Sequence, residues 1–361
     1  MNMIREWFKT KFSDPQVVIL SLVLVLGAAV VFFLGEMLAP VFAALVIAYL
    51  LEGMVRVLRR RGIPRSIAVH AVFAGFMVAL VVGTVFLVPL LVDQVTRLVN
   101  QLPAMLLHGQ EQLYGLASKY PAVITEAQVN ELVVMLRGEL IKMGQRAVAA
   151  SLASLQSVIT YLVYLILVPL LVFFFLKDKH KLLAWARGLV PEHRALTEGV
   201  WEEVNLQTAN YIRGKAWEIV IVWAATYGAF LVMGLDFAML LGLLVGLSVL
   251  IPYIGATVVT IPVAIVAYHQ FGWTTDLAWV LGIYGIIQAL DGNVLVPVLL
   301  SGVVNMHPVA IIVAVLVFGG LWGFWGIFFA IPLATLVHAV LRVLWLSRHM
   351  AMAQPGDSGA G

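Results

Sequence analysis

From Ala216 to Leu341 the chain carries no lysine and no arginine, while Glu218, Asp236, Asp276 and Asp291 are all present. A water-facing surface over that length would need charges of both signs, so this half is built for lipid. The whole chain shares the character: 62% of its 361 residues are hydrophobic, 11% are charged and the mean hydropathy is +1.02. Its long apolar runs predict helices, because each spanning segment must satisfy its own backbone in hydrocarbon. The fold class is an all-α integral membrane protein.

Apolar runs fall at about 17–34, 37–51, 67–92, 155–176, 216–234, 237–268, 277–300 and 308–346, which predicts about eight transmembrane helices, some of them interrupted by glycine or proline. Basic residues cluster between the runs, most densely at Arg56, Arg59, Arg60, Arg61 and Arg65. The positive-inside bias puts that short loop, segment 177–215 and both termini in the cytoplasm, and segment 93–153 outside. The predicted organisation is three N-terminal transmembrane helices in 1–92, an amphipathic extracytoplasmic helical segment in 93–153, and a fourth transmembrane helix in 154–176. A cytoplasmic helical connector follows in 177–215, then a C-terminal bundle with broken helices in 216–346 and a small, polar, disordered tail in 347–361. The amphipathic part shows best in VNELVVMLRGELIKM (129–143), which places Val129, Leu132, Val133, Leu136, Leu140 and Met143 on one face. The basic N-terminus leads into an apolar run with no A-x-A-like cleavage site, so the first span is expected to be retained in a bacterial inner (plasma) membrane.

No cysteine is present, which excludes disulfides, thiol nucleophiles and thiolate metal sites. No HExxH, Walker or dinucleotide fingerprint occurs, so no metal or cofactor is expected. The net charge of +3 does not point to nucleic acid, since in a membrane protein the placement of the bases carries the information.

Of the four acids, Asp236 and Asp276 fall in short inter-span stretches suited to a wetted interface. Glu218 opens a span beside Arg213 and Lys215, and an ion pair at the inner interface would account for it. Asp291 lies about fourteen residues into its run, roughly 21 Å along a helix, with no local base to pair with. A carboxylate at that depth is protonated, paired across helices, or in contact with water or a cation. It is either a structural residue or a titrating group on a solute or ion path. Two other stretches, VGLSVLIPYIGATVVTIPVAIV (245–266) and FGGLWGFWGIFFAIPLATLV (318–337), are apolar runs loosened by glycine and proline. Helix breaks are expected at Pro252, Gly255, Pro262, Gly292, Pro297, Gly320, Gly323, Gly326 and Pro332. Broken helices in lipid mark either close glycine packing or a transporter's binding site.

The stretches FFFLKD (173–178), IPRSIA (63–68), NYIRGK (210–215), VGLSVLIPYIGA (245–256), QALDGNVLVPVLLSGVVNMHP (288–308) and FGGLWGFWGIFFAIPLATL (318–336) resemble, in order, the AI-2E transporter family and its PerM permease branch. The wider family carries Gln where NYIRGK has Lys215, which is similar to the PerM branch. The resemblance implies an inner-membrane, homo-oligomeric, pentameric protein. It also implies export of a small polar solute such as autoinducer-2, coupled to H+ or Na+, or else Na+/H+ antiport. The lipid bilayer, the solute and such an ion are the expected partners. Gln288, Asp291, Asn293, Asn305 and His307 are the candidate substrate or ion path. An enzyme is not expected. The competing class is an intramembrane serine hydrolase using Ser248 of GLSV with His269, His307 or His338, against which stands plain hydroxyl-mediated helix packing. A non-catalytic envelope scaffold is the third possibility.

Overall fold

The structure is a computed structural model that describes residues 15–119, 125–131, 133–135, 138, 142, 154–188, 195–252, 254–300 and 306–337. Among these residues the regular structure is all helical: α1 (Pro15–Arg60), α2 (Arg65–Val82), α3 (Val88–Lys119), α4 (Ser154–Lys177), α5 (Lys179–Gly188), α6 (Ala195–Val232), α7 (Ala238–Ser248), α8 (Ile254–Phe271), α9 (Thr275–Leu290), α10 (Val296–Leu299) and α11 (Pro308–Phe328). A further short helix covers 330–337. Six of these paths are long and apolar enough to cross a membrane, and Leu162–Lys177 and Ala238–Ser248 are shorter apolar helices.

Helices run on where the sequence suggested boundaries. The first two apolar runs lie in one helix, α1, which carries Pro40 internally. The path from Arg65 passes through α2 and a π turn at Gly83–Leu87 into α3, so it continues beyond residue 92 without a break. The connector likewise ends inside α6 rather than before it.

A second π turn, Asp291–Leu295, joins α9 to α10. Both π turns stand just before a Leu-Val-Pro sequence, LVP at 87–89 and at 295–297. Proline has no amide for the carbonyl four residues back, and its ring would strike that carbonyl. Widening the preceding turn relieves this. The amide of Val88 bonds the carbonyl of Gly83, and that of Val296 bonds the carbonyl of Asp291, each five residues back. The expected break at Gly292 and Pro297 is therefore a bulge in a continuous helical path from Thr275 to Leu299.

The N-terminal helices pack around Ala44, Val55, Ala68, Val172 and Leu176. At one end of this unit Glu52 binds Arg65 at 3.0 Å and Lys179 at 3.2 Å, and Arg65 also donates to the carbonyl of Leu176 at 2.8 Å. The arginine of IPRSIA thus closes the end of α4 and ties it to α1.

The C-terminal bundle is organised around α6 and α7, an antiparallel pair turned at Gly234 (φ 66°) and Phe237 (φ 57°). Gly242 and Gly246 bring the backbones together: a Cβ on Gly242 would lie 3.0 Å from the Cα of Tyr227, and one on Gly246 would lie 2.9 Å from the carbonyl oxygen of Ile219. Polar side chains satisfy the helix ends at this turn. The amide of Leu240 donates to Gln94 of α3, and Gln270 accepts from the Asp236 amide while donating to the Gly234 carbonyl.

Candidate functional site

Two helical hairpins form the site's scaffold. In the first, α7 ends at Ser248 and α8 starts at Ile254. A side chain at Gly255 would overlap the carbonyl of Ser248, so the chain reverses with backbone against backbone at Ile251–Pro252. With 11 residues, α7 rises about 16 Å, half the roughly 30 Å hydrocarbon core. The turn therefore lies about half a hydrocarbon thickness from the α6–α7 turn. In the second hairpin α11 reverses at Gly323 (φ 57°, ψ −132°), and a side chain at Gly326 would overlap the carbonyl of Phe318. Leu300 closes α10 and only a short connection separates it from α11, so the second hairpin enters from the end opposite to the first. The two point in opposite directions along the bundle.

They meet. Leu250 of the first turn packs with Phe328 and Ile331 of the second hairpin, together with Tyr211 and Ile212 of α6 and Leu300. Ile251 packs, as do Phe318 and Ile327, against the cluster of Ala314, Val315, Ala330 and Ala334. Of the nine positions expected to break helices, Pro252 and Gly255 make the first turn, and Gly323 and Gly326 make the second. Pro262 and Gly320 lie inside helices, and Pro332 lies inside 330–337.

Beside the first turn, within the candidate span Asn205–Val232, lies the motif NYIRGK. Its glycine is structural: a Cβ on Gly214 would stand 2.8 Å from the carbonyl oxygen of Leu299. That contact brings α6 onto the path from Asp291. Lys215 then turns inward and donates to Glu218 Oε1 at 2.8 Å and to the carbonyl of Val249, the residue capping α7, also at 2.8 Å. The side chains of Lys215 and Glu218 are 3% and 1% exposed, so the pair is buried among the helices. Arg213 takes no part in it, since its guanidinium is bound to the Ala209 carbonyl and to Asn210.

Three oxygens around this pair are buried without a partner: Glu218 Oε2, Tyr211 OH and Asp291 Oδ1. Asp291 lies within electrostatic reach of Lys215 and Glu218, and Tyr211 within reach of Glu218. The structure thus assembles Tyr211, Lys215, Glu218 and Asp291, from α6 and from the π turn, against the carbonyl end of α7. Buried polar atoms are nearly always satisfied, so three unsatisfied oxygens about one ion pair mark this place out among the described residues. π turns recur at functional positions for the same reason: they turn a side chain and free backbone groups.

The other sequence candidates are placed differently. Gln288 donates to Tyr284 OH at 2.8 Å. Tyr284 OH reaches Thr260 at 3.0 Å and donates to the Ala256 carbonyl at 3.2 Å. This ladder joins the first turn of α8 to α9 one turn before Asp291. Asn293 donates to the carbonyl of Ala289 in its own helix, and His307 caps α11 by accepting from the Val309 amide. Asn305 falls outside the described residues. Tyr211, Tyr284 and Thr260 were not singled out from sequence, because each sits in an apolar run with the periodicity of an ordinary helix face. An apolar cavity of about 680 Å³ lies between α1 and the second hairpin, walled by Phe42, Trp322 and Trp325. It offers a polar solute few partners.

Among the described residues no hydrogen bond joins Ser248 to a histidine. Ser248 donates to the carbonyl of Val245, and His307 is a helix cap. His269 meets His108 edge-to-face, and His338 lies outside the described residues. Among the described residues no three His, Cys, Asp or Glu side chains converge as a metal site.

An all-helical bundle with several apolar spans and two opposed hairpins defines a multi-pass membrane protein of the transporter class. The comparisons give its family. The model of the AI-2E family transporters matches residues 19–345. The chain is 46% identical over 342 residues to "Putative permease PerM" of Escherichia coli (strain K12), covering 95% of this chain and 97% of that one. It is 25% identical to "Putative transport protein YueF" of Bacillus subtilis (strain 168), over 94% and 93% of the two chains. It is 27% identical to "Putative transport protein YrrI" of the same organism, over 90% and 94%. The chain belongs to the AI-2E transporter family.

Proposed function

We propose that this chain is a permease of the bacterial inner membrane that exports a small polar solute, autoinducer-2-like in size and polarity, with movement coupled to H+ or Na+. Both termini and the 56–65 loop are cytoplasmic, and the working form is a homo-oligomer, a pentamer by family resemblance. The observation that carries this function is the set of partnerless oxygens of Tyr211, Glu218 and Asp291 where the hairpin turn meets α6. A solute or cation that leaves water must be met by groups not already committed to the protein's own bonds. The carbonyl end of α7 adds the partial negative charge of a helix C-terminus, which favours a cation there. Opposed hairpins that share a packed contact give the two sides of the membrane separate access to one site.

The second function, Na+/H+ antiport without an organic solute, is favoured by the same two carboxylates. Proteoliposomes loaded with radiolabelled solute and with a pH-sensitive dye separate the two. Solute movement with a pH-dependent rate supports the permease, and Na+-driven proton movement without solute supports the antiporter. Asp291→Asn keeps the shape of the side chain, so the variant should assemble and lose coupling or its pH dependence. An unchanged pH profile in an assembled variant would make Asp291 structural.

A further inference from the structure

The charge count of the buried cluster goes one step beyond the transport function on which it rests. Along the elements that enclose the cluster, charged side chains are few. On α6, Glu198, Glu202 and Glu203 lie three turns or more before Lys215 in the sequence, Arg213 is engaged at Ala209 and Asn210, and Lys215 and Glu218 stand at the cluster. Neither α7 nor α8 carries an aspartate, glutamate, lysine or arginine. On α9 and its π turn the charged residues are Asp276, at the far end, and Asp291. Two carboxylates and one ammonium leave a single negative charge in a site where Glu218 is 1% exposed and Asp291 is half-buried, with its Oδ1 turned inward. The ammonium is moreover held in place from two sides, by Glu218 Oε1 and by the Val249 carbonyl, each at 2.8 Å. It stands where a second mobile cation would otherwise sit, among a carboxylate oxygen and a helix-end carbonyl. The oxygens left over are Glu218 Oε2, Asp291 Oδ1 and Tyr211 OH.

We propose that Lys215 sets the valence of the cation this site accepts: as a resident cation it leaves one negative charge, so the remaining oxygens take one univalent ion, a proton or Na+, and reject divalent ions. A buried site tolerates little net charge, since an uncompensated ion far from water is costly. A divalent ion beside Lys215 would leave the cluster with a net positive charge, and a univalent ion leaves it neutral. Removing the ammonium leaves two negative charges on an all-oxygen donor set, which is the chemistry that Ca2+ selects. Lys215 is in this sense a specificity-determining residue.

The test uses the full chain purified in detergent, with 45Ca2+ binding measured at constant ionic strength. Wild type should bind no Ca2+ at this site. Lys215→Gln keeps hydrogen-bonding capacity without the charge and should gain Ca2+ binding at least tenfold above wild type. Adding Asp291→Asn to Lys215→Gln should abolish the gain, while Lys215→Arg should behave as wild type. Ca2+ binding by wild type, or a folded Lys215→Gln protein with no gain, overturns the proposal. Glu218→Gln supplies a check that does not need Lys215 replaced. It makes the cluster neutral, so any stabilisation of wild type by Na+ over choline, or by acid, should disappear, and its persistence would overturn the charge count. The outcome is separable from the transport function. A gain of Ca2+ binding in protein that moves no solute upholds the charge count and removes the permease. Solute transport with unchanged cation selectivity in Lys215→Gln does the reverse.

Discussion

Replacing Lys215 by Met removes an ammonium that makes two 2.8 Å contacts inside the bundle, one to Glu218 and one to the Val249 carbonyl. The side chain that remains has similar length and apolar character, so little packing volume is lost. What changes is that Glu218, 1% exposed, keeps neither of its oxygens bonded, and the carbonyl ending α7 loses its donor. Removing one partner of a buried ion pair costs about 3–5 kcal/mol, because the other charge stays desolvated. The hydrogen bond lost at Val249 falls within that range rather than beside it. For a chain longer than 250 residues each kcal/mol shifts the melting temperature by roughly 2 °C, so the expected drop is about 6–10 °C. Adding Glu218→Leu removes the stranded charge and should restore most of the loss, since a well-packed apolar replacement of a buried pair is often neutral or better. The assay is thermal unfolding of the purified protein, followed by helical circular dichroism, for the two single variants and the double one. A Lys215→Met protein within about 1 kcal/mol of wild type, or a double variant no more stable than the single, would refute the reasoning that the pair is buried and interdependent.

Three further outcomes follow from the geometry. Gly255→Ala and Gly326→Ala each drive a Cβ into a carbonyl across a hairpin turn and should cost at least the 1–3 kcal/mol typical of overpacking. Gly292→Ala meets nothing within 4 Å and should be neutral or stabilising by thermal unfolding. Tyr284→Phe strands Gln288 and removes the bond to Ala256, so the melting temperature should fall by the equivalent of about 1–3 kcal/mol. Reporter tags at both termini and within 56–65 should read cytoplasmic and one near Gly109 should read outside, and a cytoplasmic signal at Gly109 would reverse the orientation.

The sequence disclosed the class of fold readily, because hydropathy at the scale of a bilayer overrides most local detail. It also disclosed Lys215 and Glu218 as partners, three residues apart on one helix, and Asp291 as a carboxylate with nothing local to neutralise it. Depth was harder to read. The charged residues just before the pair suggest a place at the inner interface, yet Gly214 lets α6 press against Leu299 and Lys215 is buried in the bundle. Proline was also a poor guide to where helices end. Pro262 lies inside α8, and Pro297 is absorbed by a π turn, whereas true reversals occur where a glycine can touch a carbonyl, at Gly255 and Gly326. The Tyr284–Thr260 bridge had no sequence signal, since a hydroxyl in an apolar helix looks the same whether it bonds its own backbone or a neighbour. Glu52 was missed for a related reason: its partners Arg65 and Lys179 are brought to it only by the packing of α2, α4 and α5 around α1.

The absence of cysteine from the chain makes the central claim, that water and solute reach the cluster between the hairpins, directly measurable by single thiols. A thiol reacts with a charged, membrane-impermeant methanethiosulfonate only where water supports the thiolate. Asp291→Cys, at the half-buried edge of the cluster, should be modified in intact vesicles, and solute should slow the reaction. Ile286→Cys, on an exposed apolar face of α9, should stay unmodified because that face meets lipid. If the cysteine at 291 reacts no faster than the one at 286, no aqueous path reaches the cluster, and a permease working through Lys215, Glu218 and Asp291 is contradicted.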